Sequence, residues 1–242
     1  MAFVRNGVIL KLSKLAHYLS NCKKWVVDVD LKSYFDTILH EKLEALIRKR
    51  VGDKYVLALI RQWLKAGIME EGKVRRPTDG TPQGGVLSPL LSNIYLNEID
   101  KLWNENSSVE IVRYADDMVL FCRTEKQAHY VLNKLRGQLE ELGLILNEEK
   151  TKIVHVRESF DFLGYTIKEA YSHNRGKLVR IKFPRPKSEK NMRQKIKDAI
   201  KSMLLGTEFV EVIAMLNRKL SGWANSYFYE KGLYYVPNLL SK

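Results

Sequence analysis

Three aspartates carry the chemistry this sequence could perform. Asp30 ends the apolar run Trp25–Asp30 (WVVDVD), and Asp116 and Asp117 interrupt the apolar stretch Ile111–Cys122. A carboxylate flanked by β-branched residues is costly to bury unless it is paired or binds a cation. Adjacent aspartates also repel each other, and a divalent ion removes both problems. Oxygen ligands from separate segments, with water completing an octahedron, suit Mg²⁺. Two such ions about 4 Å apart activate an attacking hydroxyl and stabilise a leaving pyrophosphate. Spacing alone leaves the plainer readings open, since Asp-Asp is common turn chemistry and Asp30 could cap a helix. The histidines (His17, His40, His129, His155 and His173) are dispersed, and none pairs with Cys or Glu at ligand spacing. No zinc site and no histidine catalysis are therefore expected.

The elements that must position the aspartates follow from hydrophobic period and turn signals. Trp25–Asp30 alternates and is β-branched, so it reads as a strand with Asp28 and Asp30 on the same face. Ile111–Cys122 reads as two short strands around the tight turn Tyr114-Ala115-Asp116-Asp117. Helices are expected over 8–20, His40–Arg50 and Tyr55–Ala66, with a polar hairpin from Gly67 to Gly80 turning at Gly72. The loop TPQGGVLSP (81–89) leads into an apolar helix with Ser88 as cap and Pro89 in its first turn. Ala128, Val131, Leu132, Leu135, Leu139 and Leu142 recur at helical spacing, and Gly143 should end that helix. Strands are expected near Ile153–Val156, Phe162–Ile167 and Lys177–Phe183. Pro184 and Pro186 then lead into an amphipathic basic helix through Met192, Ile196, Ile200 and Met203, and a further helix spans about Thr207 to Leu220. Strands mixed with helices through hairpins, without regular βα repeats, indicate an α+β fold: an antiparallel sheet backed by helices. A boundary between this sheet domain and a small helical domain is expected near residue 170.

Composition narrows the partner. The 242 residues are 45% hydrophobic, enough for a packed core, with a formal net charge of +13. Eleven basic residues against two acidic ones fall between His173 and Leu205. A localised basic stretch is the electrostatic footprint of phosphate binding. No stretch approaches the ~18 apolar residues of a membrane span, and the N-terminus does not read as a signal peptide. Cys22 and Cys122 form neither a disulfide framework nor a metal motif, which fits a reducing cytoplasm.

Six segments in order give a further handle: VVDVDLKSYFDTI (26–38), GTPQGGVLSPLLSNIYLNEID (80–100), RYADDMVLF (113–121), LGLILNEEKTK (142–152), FDFLGYTI (160–167) and SGWANSYF (221–228). Together they resemble the bacterial group II intron-encoded reverse transcriptases, also called maturases. The resemblance implies a polymerase palm followed by a helical thumb that doubles as the maturase domain. It implies RNA-directed DNA synthesis, with an RNA template, a DNA primer, deoxynucleoside triphosphates and group II intron RNA as partners. Asp30, Asp116 and Asp117 would be the catalytic metal ligands for two Mg²⁺ ions, with Mn²⁺ a possible substitute. The family pattern selects Asp30 over Asp28, which alternation alone does not separate. Leu31 would offer a backbone carbonyl to the metal, and Phe35 would gate against a 2′-hydroxyl. Gln83 and Gly84 would lie against the nucleotide and template. Lys150 would protonate the pyrophosphate, and Phe162, Leu163 and Gly164 would grip the primer. Lys187, Lys190, Arg193, Lys195 and Lys197 would contact nucleic acid. Trp223, Tyr227 and Phe228 match the helical domain's aromatic signature and read as core.

The resemblance divides the chain into partial fingers and palm (1–170) and a basic thumb/maturase domain (171–242). Only about 24 residues precede the strand of Asp30, so the chain reads as N-terminally truncated, lacking most of the fingers. It would then be a fragment or act with a separately encoded fingers piece, and its activity alone is in question. Two alternatives follow: a non-catalytic RNA-binding maturase or splicing cofactor, and a retron, diversity-generating or CRISPR-associated reverse transcriptase.

Overall fold

The computed structural model describes residues 23–65, 68–70, 73–75, 80–81, 87–104, 108–173, 176–202, 208–228 and 234–235. The expected helix over 8–20 and the loop residues Gln83 and Gly84 lie outside the described residues. Two compact units divide between Ile153 and Val154. The boundary drawn from sequence near residue 170 falls inside a strand of the second unit.

The first unit is built on β1 (Trp25–Val29), a single helical turn α1 (Tyr34–Thr37), α2 (His40–Arg48), α3 (Lys54–Lys65), the hairpin β2 (Ile68–Glu70) and β3 (Lys73–Arg75), α4 (Ser88–Asn104), β4 (Glu110–Tyr114), β5 (Asp117–Cys122) and α5 (Glu125–Glu141). The strand β6 (Lys152–His155) completes a sheet of order β4-β5-β1-β6. The pairs β1–β5 and β4–β5 are antiparallel, in the registers Val29↔Met118 and Tyr114↔Asp117. Alternation sorts the strand faces. Val27, Val29 and Leu31 enter the main core with Met118, Leu120 and Cys122, joined by Tyr95, Leu96 and Ile99 of α4 and by Val131, Leu135 and Leu139 of α5. Each buried aliphatic side chain contributes about 1.5–3 kcal/mol, so this face fixes the register of the strand that carries the aspartates. The termini of α5 follow the sequence signals. Thr124 caps it by accepting from the Gln127 amide at 3.2 Å. Gly143, at φ +78, ends it while the Leu144 amide donates to Leu139 at 2.8 Å.

The second unit contains β7 (Phe160–Phe162), β8 (Tyr165–Ser172), β9 (Lys177–Pro184), α6 (Pro186–Lys201), α7 (Phe209–Phe228) and β10 (Tyr234–Tyr235), with sheet order β10-β9-β8-β7. The final helix runs eight residues beyond the expected Leu220 and takes in the whole SGWANSYF segment. Gly222 does not break it, and nothing lies within 4 Å of a Cβ built there. Among the described residues no helix is long and apolar enough to cross a membrane.

Cys122 ends β5 fully buried, and burial pushes its thiol up to about 12, with the Lys23 charge acting in the opposite direction. In a Cys22→Ser background, Cys122 is therefore expected to resist a thiol reagent at pH 8 in the folded chain and to react fully once unfolded. Its folded pKa lies above the unfolded value of about 8.5, so its contribution to stability is complete below that pH and fades as pH rises toward 12. The urea midpoint should fall over this range, and fall less in Cys122→Ala.

Candidate active site

The register of the central strands brings the three aspartates to one end of one sheet. Asp28 pairs with Val119 inside the β1–β5 ladder, and the last pair is Val29↔Met118. The next position would set Asp30 opposite Asp117. Residues directly opposite in an antiparallel ladder share a face, so Asp30 and Asp117 project on the side away from Val29 and Leu31. Tyr114 and Asp117 close the β4–β5 hairpin, leaving Ala115 and Asp116 as its two-residue turn. Ala115 adopts φ +54, in the left-handed region that costs a side-chain-bearing residue roughly 1–2 kcal/mol. Among the described residues, no three acidic, histidine or cysteine side chains converge as a metal-binding group.

Asp30 is instead held by the 145–151 segment. Leu31 forms an antiparallel bridge with Leu146, flanked by Asn147 N–H donating to the Asp30 carbonyl and Lys32 N–H donating to the Ile145 carbonyl, each at 2.9 Å. The Asn147 side-chain amide donates to Asp30 Oδ2 at 2.9 Å, and Lys150 Nζ stands 3.5 Å from the same oxygen. Thr151 Oγ1 lies 3.3 Å from both the Asp30 amide and the Asp30 carbonyl. The Asp30 side chain is 39% exposed, so the carboxylate remains open to solvent. Lys150 thus sits beside a catalytic candidate, not on an unrelated surface. Asp28 has a separate cation partner, Lys152, at 3.9 Å.

Phe35 packs edge-on against Tyr34, with ring centroids 5.2 Å apart. Its carbonyl accepts from the Thr81 amide at 2.7 Å, the Ile38 carbonyl accepts from the Gly80 amide at 2.8 Å, and His40 Nε2 donates to the Gly80 carbonyl at 2.5 Å. The entrance of the GTPQGG loop is therefore strapped to the turn that carries Phe35. The Tyr34 hydroxyl donates to the Ser92 carbonyl at 2.9 Å, and burial raises its pKa well above the ordinary tyrosine range, with the Asp116 charge adding to the rise.

In the second unit, Phe162 and Tyr165 pair across a turn made by Leu163 (φ +51) and Gly164 (φ +84). The Gly164 carbonyl accepts from the Arg185 amide at 3.0 Å and from the Ser188 hydroxyl at 3.3 Å, which fixes the turn against the start of α6. On α6, Lys187, Lys190, Arg193, Lys195 and Lys197 are all exposed, and Met192 is buried. Helical spacing sets Lys187, Lys190, Lys197 and Lys201 on one face opposite Met192, with Arg193 at its edge and Lys195 on the other flank.

Three residues of the first unit escape a reading by motif alone. Asn147 reaches Asp30 across 117 positions of sequence. Arg113 donates to the Ala115 carbonyl at the aspartate turn. Tyr34 is shared between α1 and α4. The signal for each was its place inside a quoted segment, not its residue type.

The family model for reverse transcriptase (RNA-dependent DNA polymerase) matches residues 3–167. The chain belongs to the reverse transcriptase family. Its relatives include protein YkfC of Escherichia coli K12, 38% identical over 178 residues. They also include the group II intron-encoded protein LtrA of Lactococcus lactis subsp. cremoris, 30% identical over 209 residues. Each match covers 60% of this chain, but 47% of the first protein and 35% of the second, so the chain spans half the length of these relatives or less. Among solved structures, a telomerase of Candida albicans in complex with a fragment of telomeric RNA aligns with TM-score 0.51 at 18% identity, covering 93% of this chain and 48% of that one. An apo telomerase of Candida tropicalis aligns with TM-score 0.52 at 16% identity, over 65% of this chain and 38% of that one. At such identities the likeness is one of fold.

The strap on the GTPQGG loop has a measurable consequence. A Cβ at Gly80, itself at φ +91, would meet the Phe35 carbonyl at 2.8 Å and the Asp36 Cα at 2.9 Å, both backbone. At Gly143 it would meet only the flexible end of Leu39, at 2.7 Å. Gly80→Ala should therefore destabilise the reverse transcriptase chain more than Gly143→Ala, by about 1 kcal/mol or more beyond the left-handed strain common to both, as read by urea denaturation.

Proposed function

We propose that this chain carries the palm and the beginning of the thumb of a group II intron-type reverse transcriptase, extending the 3′-hydroxyl of a DNA primer on an RNA template. In this reading residues 1–170 are partial fingers and palm, and 171–242 are a thumb that also binds intron RNA. The observation that supports it most is the common position of Asp30, Asp116 and Asp117 at one end of the β1–β5–β4 sheet, in a chain of this family.

An all-carboxylate donor set, with Asp30 part-exposed, has the hardness and access that Mg²⁺ or Mn²⁺ requires. Asp30, Asp116 and Asp117 would hold two such ions, with the Leu31 carbonyl beside them. When bound, the ions supply Lewis acidity to the attacking hydroxyl and charge compensation to the leaving pyrophosphate. The chain's own groups do the rest. Asn147 orients the Asp30 carboxylate through Oδ2. Lys150, already at the site, is a proton source for the pyrophosphate. Phe35 presses on the sugar and favours a deoxynucleotide, and Gln83 and Gly84 line the nucleotide. Phe162, Leu163 and Gly164 present a tight turn to the primer end.

Primer extension on an RNA template with deoxynucleotides tests this reading. The chain, supplemented with a fingers fragment if it is silent alone, should extend the primer, and Asp116→Ala should lower the rate about a hundredfold or more. Equal signals from the two would overturn the catalytic assignment.

Intron RNA binding by α6 is favoured by its lysine face. Each phosphate contact steepens the log–log salt dependence of binding by roughly 0.7–0.9. Replacing Lys187, Lys190, Lys197 and Lys201 by Gln should flatten that slope by about 3 in a filter-binding titration. Lys195→Gln, on the other flank, should change it little. Equal effects per residue from both sets would argue against a single phosphate-facing stripe.

A further inference from the structure

The aspartate turn is held from behind by a buried arginine. Arg113 is the last core-facing residue of β4 before the turn, and its side chain is 8% exposed. Nε donates to Asp100 Oδ1 at 2.9 Å and Nη2 donates to Asp100 Oδ2 at 2.5 Å, a two-point fork. Nη1 donates to Asn93 Oδ1 at 2.9 Å and to the Ala115 carbonyl at 2.8 Å. Asn93 and Asp100 are seven residues apart on α4, hence on one face of that helix. The guanidinium is thus fixed by the helix at three points and spends its fourth contact on the backbone of the turn.

That contact falls on a consequential atom. The Ala115–Asp116 peptide is the central peptide of the hairpin turn, and turn types differ chiefly by rotation of that unit. Rotation would change the backbone direction at Asp116 and with it the aim of its carboxylate. Ala115 has a side chain and sits at φ +54, so the turn does not hold this conformation by intrinsic preference. We propose that Arg113, anchored on α4 by Asp100 and Asn93, is a positioning residue that locks the central peptide of the aspartate turn and so aims Asp116 at the reacting phosphate. This rests on the polymerase reading for what Asp116 does, but not for the lock itself.

The arginine acts through Asp116 without touching substrate, which separates two measurements. Arg113→Lys keeps the charge and loses the fork. Arg113→Met combined with Asp100→Leu removes both charges at similar volume and leaves no buried carboxylate unpaired. Both variants are made in the full chain, with thermal unfolding to select those that fold. Amide exchange of the 114–118 segment should quicken about tenfold relative to the β1 strand in a folded variant. In primer extension, kcat should fall by about tenfold or more while the KM for deoxynucleotide stays within about threefold. Unchanged turn exchange in either folded variant overturns the lock, whatever happens to extension. A quickened turn with unaltered kcat overturns the aiming role. Absence of extension by the parent chain even when supplemented with a fingers fragment counts against the polymerase reading and leaves the exchange measurement to decide the lock.

Discussion

Like charges at the end of a sheet set the problem that the first unit is built to solve. Carboxylates gathered at one place repel, the more so the less water lies between them. Asp30 follows the last β1–β5 pair, and Asp116 and Asp117 stand at the β4–β5 turn, so the three carboxylates share one end of the sheet. The aliphatic face of β1 and β5 holds the register, so the strands cannot slide to relieve the repulsion without exposing Val27, Val29 and Leu120. Relief has to come from positive charge and hydrogen-bond donors brought by other segments. At Asp30 they come from Lys150 and the Asn147 amide, delivered by the backbone bridge of Leu31 with Leu146. The return segment after α5 thus brings to Asp30 the charge and the amide donor that its own strand lacks.

The second theme is local strain at the turns. The described non-glycine residues with positive φ include Ser33, Ala115 and Leu163. Ser33 precedes the single-turn helix that holds Phe35, Ala115 precedes Asp116, and Leu163 stands in the FLG turn. Each conformation costs of order 1–2 kcal/mol and persists only because its surroundings hold it. At Ala115 a guanidinium holds the carbonyl, and next to Leu163 the Arg185 amide and Ser188 hydroxyl hold the Gly164 carbonyl. Glycine would adopt these angles without strain, but it would also leave the peptide freer to rotate. A side chain at the turn, with an external clamp on its peptide, gives a direction that glycine alone does not specify.

The sequence made the strands and their faces legible because their period is strict. WVVDVD alternates, the Tyr114–Asp117 turn is bounded by apolar runs, and the 3–4 spacing from Ala128 to Leu139 is uninterrupted. Gly143 ended its helix for the reason its residue type suggests. What the sequence concealed is long-range or aperiodic. The contacts of Asn147 with Asp30 span 117 positions, and Asn147 in an acidic loop looks like ordinary turn chemistry. Arg113 sits in an apolar strand, where a single arginine reads as an exposed interruption; only the helix packed behind it, with Asn93 and Asp100 on one face, shows it buried and held by hydrogen bonds from all three of its nitrogens. The last helix ran past Leu220 because Gly222 has no packing constraint to exploit, so its modest propensity cost went unopposed by any stop signal.

These long-range contacts also tie four of the motif segments to one another. The VVDVDLKSYF segment supplies Asp30 and the Phe35 carbonyl; GTPQGG begins on that carbonyl and on Ile38. The helix after the loop supplies Asn93 and Asp100 to Arg113, whose fourth hydrogen bond reaches the turn of Asp116. The chain then passes through α5 and returns Asn147 and Lys150 to Asp30. Each segment is therefore hydrogen-bonded to another that bears a carboxylate or a loop of the site, and none of the four can shift alone. Residues such as Asn93, Asp100 and Asn147 belong to the site by this linkage, although their side chains point at protein and not at any reacting group.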